Sequence, residues 1–327
     1  MNGLANVSII MPVFNEKKTL ENVLDKIISL KPKEIIIVDD GSTDSTRRIV
    51  EAYGEKVRYV YQSNAGVSAA RNRGANEARY RWIAFLDSDD YWLPHHLRRM
   101  VDAIAATEGR AALYFCDIQR PAEEGGWHHW DVCGFKINGP FEFKHDASEW
   151  ALLRIQPMMT PASVIRRRIY LELGGLPEGL RTREDTLLFY KLGLTYPACA
   201  VLGCGAVMMG DDYNRLTQIH GSNSLVYGKA SVFIYEELLK GKKNISRERQ
   251  RFLTNSLGTA YFSLGRVYFR RKEYPKVIKN LCISFGISPI SFAKEFIESA
   301  ARYSVKKSNM TLRSARRKCK EPTQEGN

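Results

Sequence analysis

The first 90 residues alternate between short, mostly apolar runs and longer amphipathic segments. The apolar runs predict strands at residues 7–11, 34–38, 57–61 and 82–86. The amphipathic segments predict helices at residues 16–30, 43–53 and 68–77. Strands that are apolar along their length indicate a parallel sheet buried on both faces, so the chain should begin with an α/β domain.

Polar clusters follow three of these strands, at residues 14–16, 39–42 and 87–90. In a parallel sheet the carboxyl ends of the strands meet at one edge, where ligands bind. A single cluster of Asp and Gly is as typical of a structural turn as of a ligand-binding site. Five carboxylates follow the second and fourth strands, and Glu16 lies in the first loop. Three such clusters together indicate a single binding crevice.

The middle of the chain is less regular. We predict a surface loop at residues 123–130, a short helix from residue 148, a strand at 159–165, a helix at 183–192 and a strand near 200–209. Residues 1–225 should therefore form one mostly parallel α/β domain with helices on both faces. Residues 226–301 should form a helical extension, and residues 302–327 a basic tail.

The net charge of +13 is confined to the last third of the chain. Residues 1–220 hold 27 of the 49 Lys and Arg residues and 28 of the 36 Asp and Glu residues, which leaves 22 and 8 for the remainder. The six cysteines form no C-x-x-C pair, and the first residues lack the basic and apolar regions of a signal peptide. These features favour a cytoplasmic protein with reduced thiols.

Five segments occur in a characteristic order: SIIMPVFNE, VDDGSTDST, NAGVSAARNRG, FLDSDDYW and TREDTLLFYKL. Together they resemble the family 2 glycosyltransferases, which have a GT-A type fold, over about residues 5–225. The resemblance implies transfer of a sugar, with inversion, from a UDP-linked or similar donor to a hydroxyl of a glycan or lipid-linked acceptor. It also implies a role in the synthesis of cell-surface polysaccharide or glycolipid.

The resemblance implies a donor site built from seven residues: Pro12, Phe14, Glu16, Asp39, Arg71, Asp87 and Ser88. Asp39 would accept the N–H of the nucleobase, with Pro12 and Phe14 flanking the base and ribose. Arg71 would bind the nucleotide or pair with Asp39, and a purely structural ion pair is the alternative. Asp87 would reach the ribose or a metal-bound water.

Asp87, Ser88 and Asp89 form a DXD-like motif, which implies a divalent cation, Mn²⁺ or Mg²⁺. An acidic crevice would repel a diphosphate unless a hard cation bound both. Asp89 is the first choice of ligand. His220 is the second candidate, although a surface or packed histidine is an equal alternative. Asp90 is expected to cap the next helix.

Asp185, in a Glu-Asp pair at the start of a predicted helix, is the candidate catalytic base. A carboxylate within hydrogen-bond reach of the acceptor hydroxyl would remove its proton during attack. The alternative is simple capping of the helix. The aromatic residues Trp127, Trp130 and Trp150 lie where acceptor contacts would be expected. Core packing or a disordered loop is the preferred explanation, so they are not assigned to the site.

The C-terminal third contains a second, shorter pattern. Eight positions fit one tetratricopeptide-like repeat, a helical hairpin: Tyr261, Leu264, Gly265, Tyr268, Tyr274, Val277, Ser284 and Pro289. An amphipathic segment at residues 287–301 follows, and residues 302–320 then contain eight Lys and Arg and no acid. This combination resembles a peripheral anchor on an anionic membrane surface, and the alternative is a solvated tail.

Other classes are less well supported. A nucleotide-sugar-binding protein or a nucleotidyltransferase of the same fold is the main alternative, because neither requires a base at Asp185. Nucleic acid is not an expected partner, since no nucleic-acid module accompanies the tail. A dinucleotide-dependent dehydrogenase is excluded because no G-x-G-x-x-G follows the first strand. The sugar and the oligomeric state, including a homo-oligomer, stay open.

Overall fold

The computed structural model describes residues 6–121, 125–209, 224–240 and 245–301. The chain divides into two compact units, with the division between residues 221 and 222. The first unit holds the sheet and eight of the helices described below, and the described residues of the second unit form helices.

The first unit contains nine strands that belong to one sheet. They are β1 (Val7–Val13), β2 (Glu34–Asp39), β3 (Arg58–Tyr61), β4 (Trp82–Phe85), β5 (Tyr91–Trp92), β6 (Leu113–Gln119), β7 (Phe141–Lys144), β8 (Ser163–Arg166) and β9 (Ala198–Val207). The helices are α1 (Leu20–Ser29), α2 (Thr46–Ala52), α3 (Val67–Glu77), α4 (His96–Ala106), α5 (His129–Cys133), α6 (Ser148–Ala151), α7 (Arg167–Glu172) and α8 (Glu184–Thr195).

The strand order is β3-β2-β1-β4-β8-β6-β9-β5, and β7 pairs with β9. The four strands predicted from the first 90 residues are parallel to one another. β8 is antiparallel to both β4 and β6, whereas β6 and β9 are parallel. The sheet is therefore mixed, and its parallel half is the half that the sequence predicts most clearly.

Helices cover both faces of the sheet, which confirms the predicted α/β class. Ile9 and Met11 point into a core that includes residues of α1 and α4. Ile10, between them, points into a second core with residues of α3 and α8. Side chains of a strand alternate between faces, so a strand buried on both sides must be apolar at every position.

The close packing of α3 on the sheet depends on Gly74. A Cβ at this position would collide with Cγ2 of Ile10 and lie 3.2 Å from Cγ2 of Val38. The helix backbone therefore lies closer to β1 and β2 than any larger residue allows. This approach fixes the position of Arg71, one turn earlier on α3.

Several predicted boundaries are wrong, among them the end of the first strand and the loop at residues 123–130. β1 continues through Pro12 to Val13, with Pro12 opposite Val38 of β2. Pro12 is tolerated because β1 pairs with β4 only as far as Ile10, so no N–H is needed on that side. The loop predicted at residues 123–130 overlaps the start of α5, whose Trp130 is buried.

The second unit is helical over its described residues. Its elements are α9 (Leu225–Lys240), α10 (Arg247–Arg270), α11 (Tyr274–Ile287) and α12 at residues 289–301. A Cβ on Gly265 of α10 would lie 3.2 Å from Leu281 of α11, so the two helices approach closely there. Within the described part of the chain, every helix is too short or too polar to cross a membrane.

Candidate active site

The loops after β1 and β2 are tied together by Asn15. Its Oδ1 accepts hydrogen bonds from the backbone N–H of Thr43 (2.8 Å) and Asp44 (3.3 Å), and its own N–H donates to Ser42 Oγ (2.9 Å). Asn15 has a φ of 57°, in the left-handed region that Asn tolerates better than most residues. The two loops therefore form one fixed wall at the carboxyl edge of the sheet.

Asp39 ends β2 and is completely buried. Its Oδ1 accepts from the backbone N–H of Ser42 (2.8 Å), and its Oδ2 accepts from the hydroxyl of Tyr59 (2.7 Å). Burial and the Asp39 carboxylate raise the pKa of Tyr59, so this hydroxyl stays a donor. The protein thus supplies a partner to each oxygen of Asp39, and contact with a nucleobase stays a prediction.

Asp40 organises the segment before α3. Its Oδ1 accepts from Gln62 Nε2 and from the N–H of Ala65, and its Oδ2 accepts from the N–H of Gly66, each at 2.8 Å. Asp40 is 4% exposed. It therefore fixes the turn into the helix that carries Arg71.

Arg71 is buried and joins two acids from distant parts of the chain. Its Nη2 donates to Asp87 Oδ1 (2.6 Å) and its Nη1 donates to Glu184 Oε1 (3.1 Å). Burial alone would lower the pKa of Arg71, but Asp87 and Glu184 raise it above its ordinary value. Arg71 thus pairs with these acids rather than with Asp39, and the structural ion pair is the alternative that the geometry favours.

Three carboxylates gather after β4. Oxygen atoms of Asp87, Asp89 and Asp90 all lie within 4.8 Å of one another. Hard oxygen donors at this spacing fit a Mg²⁺ or Mn²⁺ ion. Asp90 does not cap the next helix, because α4 begins at His96; its Oδ1 accepts instead from the N–H of Met209 (3.2 Å).

Glu16 and Ser88 lie beside this acidic cluster. Oε2 of Glu16 accepts a hydrogen bond from the hydroxyl of Thr19 (3.1 Å), and the Glu16 side chain lies close to Ser88, which is 6% exposed. Burial raises the pKa of Glu16, and the nearby charge of Asp89 raises it further. A bound cation would offset this concentration of negative charge.

Asp185 lies at the first turn of α8, as predicted. The hydroxyl of Thr160 donates to its Oδ2 at 3.2 Å. The neighbouring Glu184 is mostly buried, and burial together with the charge of Asp185 raises its pKa despite Arg71. The ion pair at Glu184 therefore fixes the helix end that presents Asp185.

A continuous set of contacts connects these groups. Asp39 binds Ser42, which binds Asn15, and the adjacent Glu16 lies close to Ser88. Asp87, next to Ser88, binds Arg71, which binds Glu184 beside Asp185. The acids that the sequence predicts to converge thus belong to one connected cluster at the carboxyl edge.

Other predicted site residues have different settings. Pro12 is buried inside β1, whereas Phe14, just beyond the strand, is 47% exposed at this edge. His220 lies outside the described residues. Trp130 and Trp150 pack around the buried ring of Phe115, as the core-packing alternative predicts.

Sequence reasoning missed three residues that shape the cluster, namely Asn15, Tyr59 and Thr160. An Asn directly after a strand and before a helix could have indicated the left-handed position of Asn15. The partners of Tyr59 and Thr160 lie 20 and 25 residues away, and local pattern carries no signal for such pairs.

Comparison with known proteins gives one family. The model of glycosyl transferase family 2 matches residues 8–174, about half of the chain. The chain is 34% identical over 125 residues to the putative teichuronic acid biosynthesis glycosyltransferase TuaG of Bacillus subtilis, covering 36% of this chain and 49% of that protein. It is 30% identical over 115 residues to an uncharacterized glycosyltransferase of Rickettsia prowazekii, covering 35% and 36%. The chain thus spans less than half the length of these relatives.

Among solved structures, S. aureus TarS 1–349 in complex with UDP-GlcNAc superposes with a TM-score of 0.61. The match covers 86% of this chain and 81% of TarS at 18% sequence identity. At this identity the match shows the fold, which is of the GT-A type expected from the sequence.

Proposed function

Because this chain belongs to glycosyl transferase family 2, we propose that it transfers a sugar from a nucleotide-sugar donor, UDP-linked, to an acceptor hydroxyl. The acceptor would be a glycan or a lipid-linked saccharide in the synthesis of cell-surface polysaccharide or glycolipid. Residues 1–225 would carry the reaction. One observation carries the proposal: Arg71 pairs with Asp87 of the acidic cluster and with Glu184, which is adjacent to Asp185 in the sequence.

Asp185 would act as the base. As the acceptor oxygen attacks the anomeric carbon, its proton would pass to the Asp185 carboxylate, and the bond between that carbon and the donor diphosphate would break. Thr160 holds one carboxylate oxygen and thereby orients the other. A single displacement of this kind inverts the configuration at the anomeric carbon.

Asp89, with Asp87 and Asp90, would hold a divalent cation, Mn²⁺ or Mg²⁺. When bound, the cation supplies positive charge that stabilises the leaving diphosphate. Arg71 cannot replace it, because both ends of its guanidinium already pair with acids. The negative charges of the surrounding acids Glu16 and Asp87 would repel a diphosphate that has no bound cation.

The test combines donor binding with transfer. UDP-sugars, including UDP-GlcNAc, together with Mn²⁺ should raise the melting temperature of the wild-type protein in a thermal-shift assay. Ligands that bind the native state stabilise it. Asp185→Asn should retain this shift and lose transfer by about 10²- to 10⁴-fold. Asp131→Asn, a change of the same kind at an exposed residue of α5, is the control and should leave both unchanged.

The following results would overturn parts of the assignment. Loss of donor binding in Asp185→Asn would place this residue in the donor site instead of the acceptor site. Retained transfer in Asp185→Asn would remove the base role. Donor binding without any transfer by the wild-type protein would favour the alternative of a nucleotide-sugar-binding protein or nucleotidyltransferase. Unchanged transfer in the presence of a chelator would remove the cation.

We also infer that the protein works on the cytoplasmic face of the membrane. Large apolar side chains on α11 and α12 are exposed, among them Phe285 (57%), Ile290 (82%) and Ile297 (66%). Phe285 and Phe296 both contact Phe292, so the exposed faces of the two helices are continuous. The basic residues 302–320 follow directly, and apolar area beside positive charge is what an anionic lipid surface binds.

Vesicle sedimentation of the full chain tests this location. Ile290→Ser/Ile297→Ser should reduce binding to phosphatidylglycerol vesicles by about ten-fold, because each change removes exposed apolar area from the lipid. Val132→Ser/Ile155→Ser alters two exposed apolar residues of the first unit and serves as the control. Equal binding by both double variants would contradict the membrane proposal without affecting the assignment of Asp185.

A further inference from the structure

Five arginines surround one hollow at the edge of the sheet opposite the acidic cluster. The hollow has a volume of about 470 Å³ and is lined by Arg79, Tyr80, Arg81, Arg166, Arg167 and Arg168. It lies where β4 begins and β8 ends, whereas the acidic cluster follows the end of β4. Six residues separate Arg81 from Asp87, which corresponds to roughly 20 Å of extended chain.

The two segments that form the hollow are fixed to each other. Trp82 pairs with Arg166 across β4 and β8, and the N–H of Arg167 donates to the carbonyl of Arg81 at 2.9 Å. The side chain of Arg167 also donates to the carbonyls of Ala75 (2.7 Å) and Asn76 (2.8 Å) at the end of α3. The arginines thus stand on a rigid frame.

Like charges are held close together in this frame. The guanidinium groups of Arg81 and Arg166 both lie over the ring of Trp82, at 5.5 and 5.3 Å from its centroid. Burial, followed by the charge of Arg81, lowers the pKa of Arg166. Nε of Arg166, one of the lining residues, is buried without a hydrogen-bond partner.

The carboxylates around the hollow do not balance these charges. Arg79 lies 3.6 Å from Glu34, and Arg168 lies 2.7 Å from Glu172. These are the ion pairs that the five arginines make within the described part of the chain, so five positive groups face two negative ones. Arg79 and Arg168 have side chains that are 73% and 84% exposed, and their remaining N–H groups are open to a ligand.

We propose that this hollow binds a ligand that carries two or more phosphate groups. A guanidinium offers paired N–H donors that match phosphate oxygens, and several of them on one frame favour a polyvalent anion over a single carboxylate. The site is distinct from the proposed donor site, both in position and in needing no cation. The proposal of this site therefore does not rest on the proposed transfer reaction.

Calorimetry of the full-length protein with inorganic tripolyphosphate tests the site. A chelator in the buffer suppresses cation-dependent binding at the acidic cluster. Arg79→Ala/Arg168→Ala should weaken tripolyphosphate binding by about ten-fold or more, because charge-assisted hydrogen bonds to phosphate are lost. The matched control is Arg73→Ala/Arg98→Ala, which also removes two exposed arginines from ion pairs with acids.

The control separates a built site from general attraction to a basic chain. Equal weakening in both double variants, or none in Arg79→Ala/Arg168→Ala, overturns the proposal. Arg81→Ala is the second variant; it leaves both ion pairs intact and should also weaken binding while the control does not. An unchanged far-UV circular dichroism spectrum in each variant verifies that the sheet is folded.

A second probe identifies the source of the phosphate. Geranyl diphosphate represents diphosphates that are linked to a lipid, and tripolyphosphate represents soluble polyphosphates. Binding of geranyl diphosphate with the same loss in Arg79→Ala/Arg168→Ala assigns the hollow to lipid-linked diphosphates. Binding of tripolyphosphate alone assigns it to soluble polyphosphates.

Discussion

Replacing Arg71 with Met removes the cation that pairs with both Asp87 and Glu184. Arg71 pairs with Asp87 at 2.6 Å and with Glu184 at 3.1 Å, and its own side chain is 6% exposed. Met occupies a similar volume without charge, so the substitution leaves two carboxylates without their partner. The substitution should therefore lower the stability of the first unit and displace Asp185.

The size of the effect follows from burial. Leaving a buried charge unpaired costs about 3–5 kcal/mol. Asp87, whose side chain is 33% exposed, keeps contact with water, so most of the cost falls on Glu184, which is 16% exposed. Glu184 can avoid part of it by taking up a proton, since burial already raises its pKa. We therefore expect Arg71→Met to reduce the free energy of unfolding by about 2–4 kcal/mol at pH 7.

The effect should depend on pH with a defined sign. A carboxyl group whose pKa is higher in the folded than in the unfolded state destabilises the fold as pH rises through those values. The loss of stability in Arg71→Met should therefore be smaller at pH 5 than at pH 7. At the lower pH a larger fraction of Glu184 is protonated and needs no partner.

Urea unfolding followed by tryptophan fluorescence measures this loss, because all five tryptophans lie between residues 82 and 150. Glu184→Gln in the Arg71→Met background should recover most of the stability, since it removes the unpaired charge. Arg73→Met, at a 54% exposed position two residues away, should change stability by about 0.5 kcal/mol or less. Wild-type stability in Arg71→Met, or no recovery in the double variant, would refute the role of the ion pairs.

Two further changes probe the frame of the first unit. Gly74→Ala should lower the free energy of unfolding by about 1–3 kcal/mol, because the new methyl group collides with Ile10; a urea midpoint equal to that of the wild type would contradict the close packing of α3. Burial lowers the pKa of His96 to about 3, so the unfolded state binds its proton first as pH falls below 6.5. Wild-type stability should drop between pH 7 and pH 5 by about 2 kcal/mol more than that of His96→Asn, and parallel pH profiles from urea unfolding would show that His96 is not buried in its neutral form.

The parallel half of the sheet could be predicted because its signal is local. Each of its strands is an apolar run closed by polar residues, such as the run from Glu34 to Val38 before Asp39. Parallel strands buried on both faces place their carboxyl ends together, so the convergence of Asp39 with Asp87 and Asp89 follows from fold class alone. The resemblance to family 2 glycosyltransferases then supplied the expected roles.

The partners of the charged side chains could not be predicted in the same way. Arg71 is 16 residues from Asp87 but 113 residues from Glu184, and only the completed fold brings α3 and α8 together. The insertion of β8 between β4 and β6, antiparallel to both, is equally non-local. A strand pattern at residues 159–165 indicates a strand and carries no information on its direction.

The charge distribution at the carboxyl edge links cation and donor binding. Asp87, Asp89 and Asp90 lie together with Glu16 beside them, and Arg71, the cation in contact with Asp87, is shared with Glu184. A diphosphate adds further negative charge, so Mn²⁺ and UDP should each bind more tightly when the other is present. Thermodynamic linkage requires the two gains to be the same factor. Calorimetry of UDP with and without Mn²⁺, and of Mn²⁺ with and without UDP, measures both, and Asp89→Asn should reduce them equally. If UDP bound equally well in a chelator, the acidic cluster would serve the fold through contacts such as Asp87 with Arg71, and the proposed cation would have no place in donor binding.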